Sequence, residues 1–308
     1  MKIAFLYSGQ GSQYVGMGRE FYDYYSSFRD TLDCCSLKIN LKEICFEDPN
    51  GLLDKTEYTQ PCIVAYQVAV TNVLFQHGIH PQYTLGVSLG EYSALYAADV
   101  WDAETVLDIV SYRGKTMEEC VKDMSCLTAS IIGLSNECME ELCKECSKYG
   151  IVQITNYCCS GNVSIGGEKE AVEKAMNLAK KEGAKYCIPL KSCYPFHTGL
   201  LSEAGEKIYE YIKKVDMREM TSTVVFNYVG RKRKDDETIE GLLRMQIQNP
   251  IQLEKSIHFL EKENIDMIID LGPGDTNSRL VRRISPTMKC ISIKQPSDLE
   301  CLFNILTV

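Results

Sequence analysis

Gly86-Val87-Ser88-Leu89-Gly90 closes a short apolar run, residues 83–87, and opens onto a helix-like stretch. A G-x-S-x-G at such a junction makes a sharp strand-to-helix turn, because its glycines accept a backbone crowding that a Cβ would forbid. The serine hydroxyl is then lifted clear of the sheet. The spacing nominates Ser88 as a nucleophile and the N–H of Leu89, the residue after it, as a donor to a developing oxyanion. A strand that feeds a helix in this way also predicts an α/β fold.

The 308 residues suffice for one large α/β domain carrying a smaller inserted one. Residues 2–7 read as the first buried strand, 61–77 as a helix with Pro61 in its first turn, and 101–121 as another helix. Between 123 and 192 the rhythm changes: strand 127–133, helix 136–148, strands 151–156 and 162–166, helix 168–181, strand 185–190. That order, β-α-β-β-α-β, is ferredoxin-like. The expected division is therefore a large hydrolase-like domain with a central, mostly parallel sheet (1–122 and 193–308) and a small ferredoxin-like subdomain (123–192). A helix at 200–215, a strand at 223–226, helices at 237–248 and 251–263 and a strand at 267–271 complete the large sheet, before Gly272-Pro273-Gly274 breaks the chain.

Composition narrows the function classes. A net charge of −9 argues against general nucleic-acid binding, which needs a broad basic face. No stretch approaches the ~18 apolar residues of a membrane span, and the amino-terminal run passes into polar Ser8-Gly9-Gln10-Gly11 without a small-residue cleavage pattern. Fifteen scattered cysteines in such a chain point to a reducing, cytoplasmic setting, with most thiols acting as small buried hydrophobes. Cys143 and Cys146 form a C-x-x-C within a helix-like segment, but without a second well-spaced pair no metal site is expected. Arg231-Lys232-Arg233-Lys234 runs into Asp235-Asp236-Glu237, a solvated turn of mixed charge. Arg279, Arg282 and Arg283 share one face of a helix-like segment; an acidic partner and plain solvent both suit that stripe.

A serine hydroxyl needs a base within hydrogen-bond reach, and the chain has four histidines. His77 and His80 flank a helix end, and His258 sits mid-helix. His197 lies in Tyr194-Pro195-Phe196-His197-Thr198, a proline-stiffened loop entering a helix, and is the candidate base. Gly9-Gln10-Gly11-Ser12-Gln13 follows the first strand but lacks the Lys-Ser/Thr of a phosphate loop. Its alternative use is a backbone donor at Gln10 that completes an oxyanion hole with Leu89. Arg113 has two readings, a helix-surface cation or a planar fork that faces the site and holds a substrate carboxylate.

GQGSQ at 9–13, TEYTQP at 56–61, GVSLGEYSAL at 86–95, RGKTM at 113–117, PFHTGLL at 195–201, QIQNP at 246–250 and LGPG at 271–274 occur in this order along nearly the whole chain. Together they resemble the malonyl-CoA:acyl-carrier-protein transacylase family, which includes free-standing polyketide synthase acyltransferases. The resemblance implies that Ser88 would be acylated, that His197 would be its base, and that the backbone carbonyl of Gln246 would orient the imidazole in place of an acid. It further implies Gln10 and Leu89 as oxyanion donors and Arg113 as the ligand of the malonyl carboxylate. Phe196 looks like the malonyl-selecting version of its position. No cofactor would be needed, coenzyme A thioester being the substrate; the partners would be malonyl-CoA and an acidic acyl carrier protein, for which the Arg279, Arg282 and Arg283 stripe is a candidate patch. Three residues depart from the family pattern: Val87 stands where histidine is usual, Ser8 where proline is common, and Cys158 where asparagine is frequent. Val87 therefore joins Phe196 as a specificity candidate. The competing function is an acyl hydrolase that clears carrier proteins, and Arg113 speaks against it because a neutral acyl chain would leave a buried guanidinium unpaired.

Overall fold

The computed structural model describes residues 1–190 and 194–306. The first half runs β1 (Ile3–Tyr7), α1 (Arg19–Tyr24), α2 (Ser26–Asp33), α3 (Leu41–Phe46), α4 (Thr56–Gln76), β2 (Tyr83–Gly86), α5 (Gly90–Ala97) and α6 (Ala103–Val121). Next come β3 (Cys126–Ile132), α7 (Asn136–Cys146), β4 (Val152–Cys159), β5 (Asn162–Glu168), α8 (Lys169–Lys181) and β6 (Tyr186–Pro189). The chain ends with α9 (Ser202–Ile212), β7 (Thr223–Val225), α10 (Ile239–Gln248), α11 (Leu253–Lys262), β8 (Met267–Asp270), α12 (Thr276–Ile284), β9 (Lys289–Ser292) and α13 (Pro296–Leu306).

Two sheets result. The larger has strand order β7-β2-β1-β8-β9, and each neighbouring pair is parallel. Its central strand β1 is buried at all five positions, which is why it reads as an unbroken apolar run rather than an alternation. The smaller sheet is antiparallel in the order β4-β5-β3-β6, the strand order of a ferredoxin-like unit, with α7 and α8 packed on it. A buried cluster that includes Ile131, Met139, Ile165, Val172 and Ala175 fills the space between that sheet and those helices, separate from the core of the larger sheet.

We propose the division anticipated from the sequence, with 123–192 set into 1–122 and 193–308; its boundary at 192/193 lies outside the described residues. Backbone bonds stitch the two units together where Tyr157 N–H donates to Ile251 O at 2.9 Å and Ile251 N–H to Thr155 O at 3.0 Å.

One expectation needs correction. The helix expected over 61–77 begins at Thr56, so Pro61 lies inside α4 beyond its first turn. The reason is local: Thr59 Oγ1 donates to Leu53 O and Lys55 O, and Glu57 N–H donates to Glu118 Oε2, so the first turn is pinned ahead of the proline. The edge strand β9 had no periodic signal, being four residues of mostly intermediate burial.

At the junction of β2 and α5 backbone packs directly on backbone. A Cβ on Gly86 would lie 1.9 Å from Gly90 C, and one on Gly90 would lie 2.3 Å from Tyr7 O. Both obstacles are backbone, which cannot swing aside. Gly90→Ala is therefore expected to destabilise the protein by about 2 kcal/mol or more, measured as a lower urea midpoint at unchanged m-value. An unchanged midpoint would contradict this packing.

Candidate active site

Ser88 lies two residues past the end of β2, at the carboxyl end of the parallel strands, where open α/β sheets bind ligands. Its φ is +54°, a left-handed conformation that is costly for a residue with a side chain. The oxyanion-loop candidate packs against it, for a Cβ on Gly9 would stand 2.6 Å from Val87 O and 3.7 Å from Ser88 Cβ. The backbone N–H groups of Gln10 and Leu89 make no hydrogen bond among the described residues, as an oxyanion hole requires.

Ser88 Oγ lies 2.7 Å from His197 Nε2, and His197 Nδ1 lies 2.6 Å from the backbone oxygen of Gln246. A carbonyl oxygen only accepts, so Nδ1 carries the proton and Nε2 presents its lone pair to the serine hydroxyl. The loop that brings His197 there also runs left-handed, at φ +65°, and is tied by His197 N–H to Ile247 O at 3.0 Å. Burial above all, opposed by the pull of the Gln246 carbonyl and aided by the neighbouring Arg113 charge, brings the imidazole pKa down to about 4. His197 is therefore neutral, and basic, at physiological pH.

Arg113 is not on the surface. It is fully buried on α6, with NH1 donating to Gln60 Oε1 at 2.9 Å and NH2 to Gln246 Oε1 at 3.2 Å and Ser88 Oγ at 3.4 Å. Its guanidinium also stands over the Tyr92 ring, 5.1 Å from the centroid. What draws it inward is Gly114, where a Cβ would meet Thr56 O at 2.8 Å: helices α6 and α4 touch backbone to backbone beside it. The helix-surface reading of Arg113 is thus overturned. Gln10 joins the same network, donating from Nε2 to Thr56 Oγ1 at 3.0 Å while its Oε1 lies 3.4 Å from Gln60 Nε2.

Ser88, His197, Gln246, Gln10, Leu89 and Arg113 therefore converge on one region. Phe196 is stacked on Tyr194, with ring centroids 5.3 Å apart, directly before His197. Val87 packs beside the cluster formed by Leu85, Val225 and Ile257. Arg279, Arg282 and Arg283 are exposed on α12, and Arg279 pairs with Asp275. Of the other histidines, His77 stacks on Phe303, His80 on Phe75, and His258 pairs with Glu261. Cys143 and Cys146 are buried on α7 in the core of the small unit, and among the described residues no cluster of His, Cys, Asp or Glu could hold a metal ion.

Three residues of the site carried no assignment from sequence. Gln60 and Glu91 stood inside motifs already noted, but a neutral amide and a helix glutamate announce nothing on their own. Asn227 lies two residues past the end of β7 with no motif around it; its side chain accepts from Ser88 N–H at 2.6 Å and donates to Gly86 O at 2.5 Å. Glu91 is fully buried, and its pKa is raised to about 8 by burial, against the hydrogen bond from Asn227 N–H, the nearby Gln246 amide and the Arg113 charge.

Such a geometry suits acyl transfer through a serine, and residues 4–283 match the family model described as an acyl transferase domain. Among curated proteins the chain is 33% identical over 308 residues to the malonyl CoA-acyl carrier protein transacylase of Bacillus subtilis, covering 99% of this chain and 97% of the relative. The solved malonyl CoA-acyl carrier protein transacylase of Clostridium perfringens superposes with a TM-score of 0.96 at 34% identity, covering 100% of this chain and 98% of that one. A malonyl-transacylase solved in complex with its type II polyketide acyl-carrier protein also gives 0.96, at 31% identity, covering 99% of this chain and 100% of that one. The chain belongs to the malonyl-CoA:acyl-carrier-protein transacylase family.

Protonation of His197 removes the lone pair that faces the serine, so the acylation rate should fall as pH drops through the imidazole pKa. The acid limb of kcat/KM is expected near pH 4 rather than near the ordinary histidine value. A limb centred near ~6.5 would contradict the buried, neutral imidazole.

Proposed function

We propose that this enzyme moves a malonyl group from malonyl-CoA to the phosphopantetheine thiol of an acyl carrier protein through a malonyl-serine intermediate, in fatty acid or polyketide synthesis. Ser88 Oγ attacks the thioester carbonyl as its proton passes to His197 Nε2. The tetrahedral oxyanion is held by the N–H groups of Gln10 and Leu89, and its collapse expels the coenzyme A thiolate, which takes the proton from His197. The carrier thiol then enters by the same steps in reverse, giving its proton to His197 and leaving with the malonyl group. The Gln246 carbonyl keeps the imidazole in the tautomer that both halves need.

The single observation that carries this reading is the buried Arg113 guanidinium, which contacts the nucleophile's Oγ at 3.4 Å while its hydrogen-bond partners, Gln60, Gln246 and Ser88, are all uncharged. A cation held so close to the acylated atom suits an acyl group with a free acid end and offers nothing to a neutral chain. Phe196 and Val87 are the proposed determinants of what the acyl pocket admits. The exposed Arg279, Arg282 and Arg283 are the proposed contact for an acidic carrier protein, by steering that a local patch provides despite the net charge of −9.

No helix among the described residues is long and apolar enough to cross a membrane. The proposed cytoplasmic setting is further supported by cysteines that form no disulfide among the described residues. The proposal includes no cofactor beyond the thioester substrate itself.

Intact-mass analysis after incubation with malonyl-CoA tests the reading. A malonyl adduct is expected that is absent in Ser88→Ala and discharged by holo carrier protein. Rapid release of malonyl and acetyl groups to water would instead mark a hydrolase. Loss of two charge-assisted hydrogen bonds, about 3–4 kcal/mol together, predicts that Arg113→Ala lowers malonyl kcat/KM by roughly 10²–10³-fold and leaves acetyl transfer far less affected. Equal losses for both acyl groups would sink the carboxylate-clamp role.

A further inference from the structure

Ser88 is held in its left-handed conformation from both sides by side-chain amides. Its C=O accepts from Gln246 Nε2 at 2.8 Å, and its N–H donates to Asn227 Oδ1 at 2.6 Å. Asn227 does more than accept, because Nδ2 donates to Gly86 O at 2.5 Å, so one amide spans the turn and meets a donor and an acceptor two residues apart. A neighbouring strand would bond the turn in this way. Strand β7 pairs with β2 only as far as Leu85↔Val225, and beyond that register the Asn227 side chain continues the ladder that the backbone has abandoned.

The clip is itself anchored. Asn227 N–H donates to Glu91 Oε2 at 2.6 Å, and Asn227 and Glu91 are 2% and 0% exposed. The carboxyl belongs to the first turn of α5, the helix that the serine turn begins. Strand end, nucleophile turn and helix start are thus bound into one ring through a single asparagine. By engaging Ser88 N–H, Asn227 also leaves the next amide, Leu89 N–H, as the unbonded donor at the turn.

We propose that Asn227 is a positioning residue for acyl transfer, whose side-chain amide fixes the turn from Gly86 to Ser88 so that Ser88 Oγ meets His197 and Leu89 N–H meets the oxyanion. The inference rests on the reading of Ser88 as the acyl acceptor. It does not involve the Arg113 contacts, so substrate binding and chemistry should separate when the clip is cut. Asn227→Ala is expected to lower the rate constant of serine malonylation by about 100-fold, the scale of a small misplacement of reacting groups, with KM for malonyl-CoA within ~3-fold of the parent.

Asn227→Asp gives a sharper signature. An ionised carboxylate still accepts from Ser88 N–H but sets a second oxygen against Gly86 O, whereas the protonated acid donates to Gly86 O and restores the clip. Asn227 N–H meets Glu91 on α5, whose carboxyl feels the Arg113 charge in turn; His197, on the other side of the Ser88 hydroxyl, has a pKa near 4 and stays basic down to pH 5. Glu91 titrates near 8 in parent and variant alike, so the signature is a ratio: the malonylation rate of Asn227→Asp divided by that of the parent should rise as pH is lowered from 8 to 5.

The experiment measures single-turnover malonylation of the full chain, parent and both variants, by intact mass from pH 5 to 8, with urea midpoints taken alongside. Low kcat at unchanged KM in Asn227→Ala, with low-pH rescue of Asn227→Asp, supports the proposal. If Asn227→Ala fails to fold, the pH profile of Asn227→Asp decides alone. A parent-like rate in Asn227→Ala, a loss expressed in KM, or an Asp variant whose profile parallels the parent overturns the positioning role and leaves the Ser88 reading intact. A parent that forms no malonyl adduct overturns both.

Discussion

A guanidinium taken out of water has to be answered by its surroundings, and Arg113 is answered at its two terminal nitrogens by amide oxygens and a hydroxyl and over its face by an aromatic ring. Such partners satisfy N–H groups without cancelling the charge. The nearby carboxyl, Glu91, is itself pushed toward its neutral form by burial, its pKa reaching about 8. The site therefore holds net positive character beside the Ser88 hydroxyl, which is the condition for receiving an acid-terminated acyl group. The other polar contacts follow from holding that cation still: Gln60 links it to the Gln10 loop, and Gln246 links it to Ser88 and to the histidine.

The fold makes this arrangement through close backbone approach. Parallel strands bring the ends of β1, β2 and β7 together, and glycines at 9, 86, 90 and 114 let loops and helices meet at distances no Cβ would permit. The two left-handed residues of the site, Ser88 and His197, sit on opposite sides of the 2.7 Å bond between them. Neither conformation is favourable locally; Ser88 is bound at both its N–H and its C=O, and His197 at its N–H by Ile247 O.

Much of this was legible in the sequence, and the reasons differ by residue. Ser88 and Leu89 were readable because a strand, two glycines and a helix in succession admit few geometries. The small antiparallel unit was readable because β-α-β-β-α-β leaves only a few right-handed, uncrossed layouts. The residues around Arg113 left its burial open between two readings, since the cause of its inward path is a contact with Thr56, far away in the chain. Asn227 was invisible for a related reason: it acts across a sheet on Ser88 and Gly86 through one side chain, and no local pattern marks such a contact. Pro61 misled because proline favours a first turn on local grounds, while bonds from Thr59 and Glu57 begin the helix earlier.

The central claim is that the Arg113 cation receives the distal carboxylate of the acyl group carried by Ser88. A crystal structure of the protein after soaking with malonyl-CoA tests it most directly. The account predicts an ester on Ser88 Oγ whose free carboxylate lies about 3 Å from both terminal guanidinium nitrogens of Arg113, with the Ser88 Oγ and Gln246 contacts of that arginine given up or shared. An acyl-serine whose carboxylate points to solvent, with Arg113 still bonded only to Gln60 and Gln246, would contradict it.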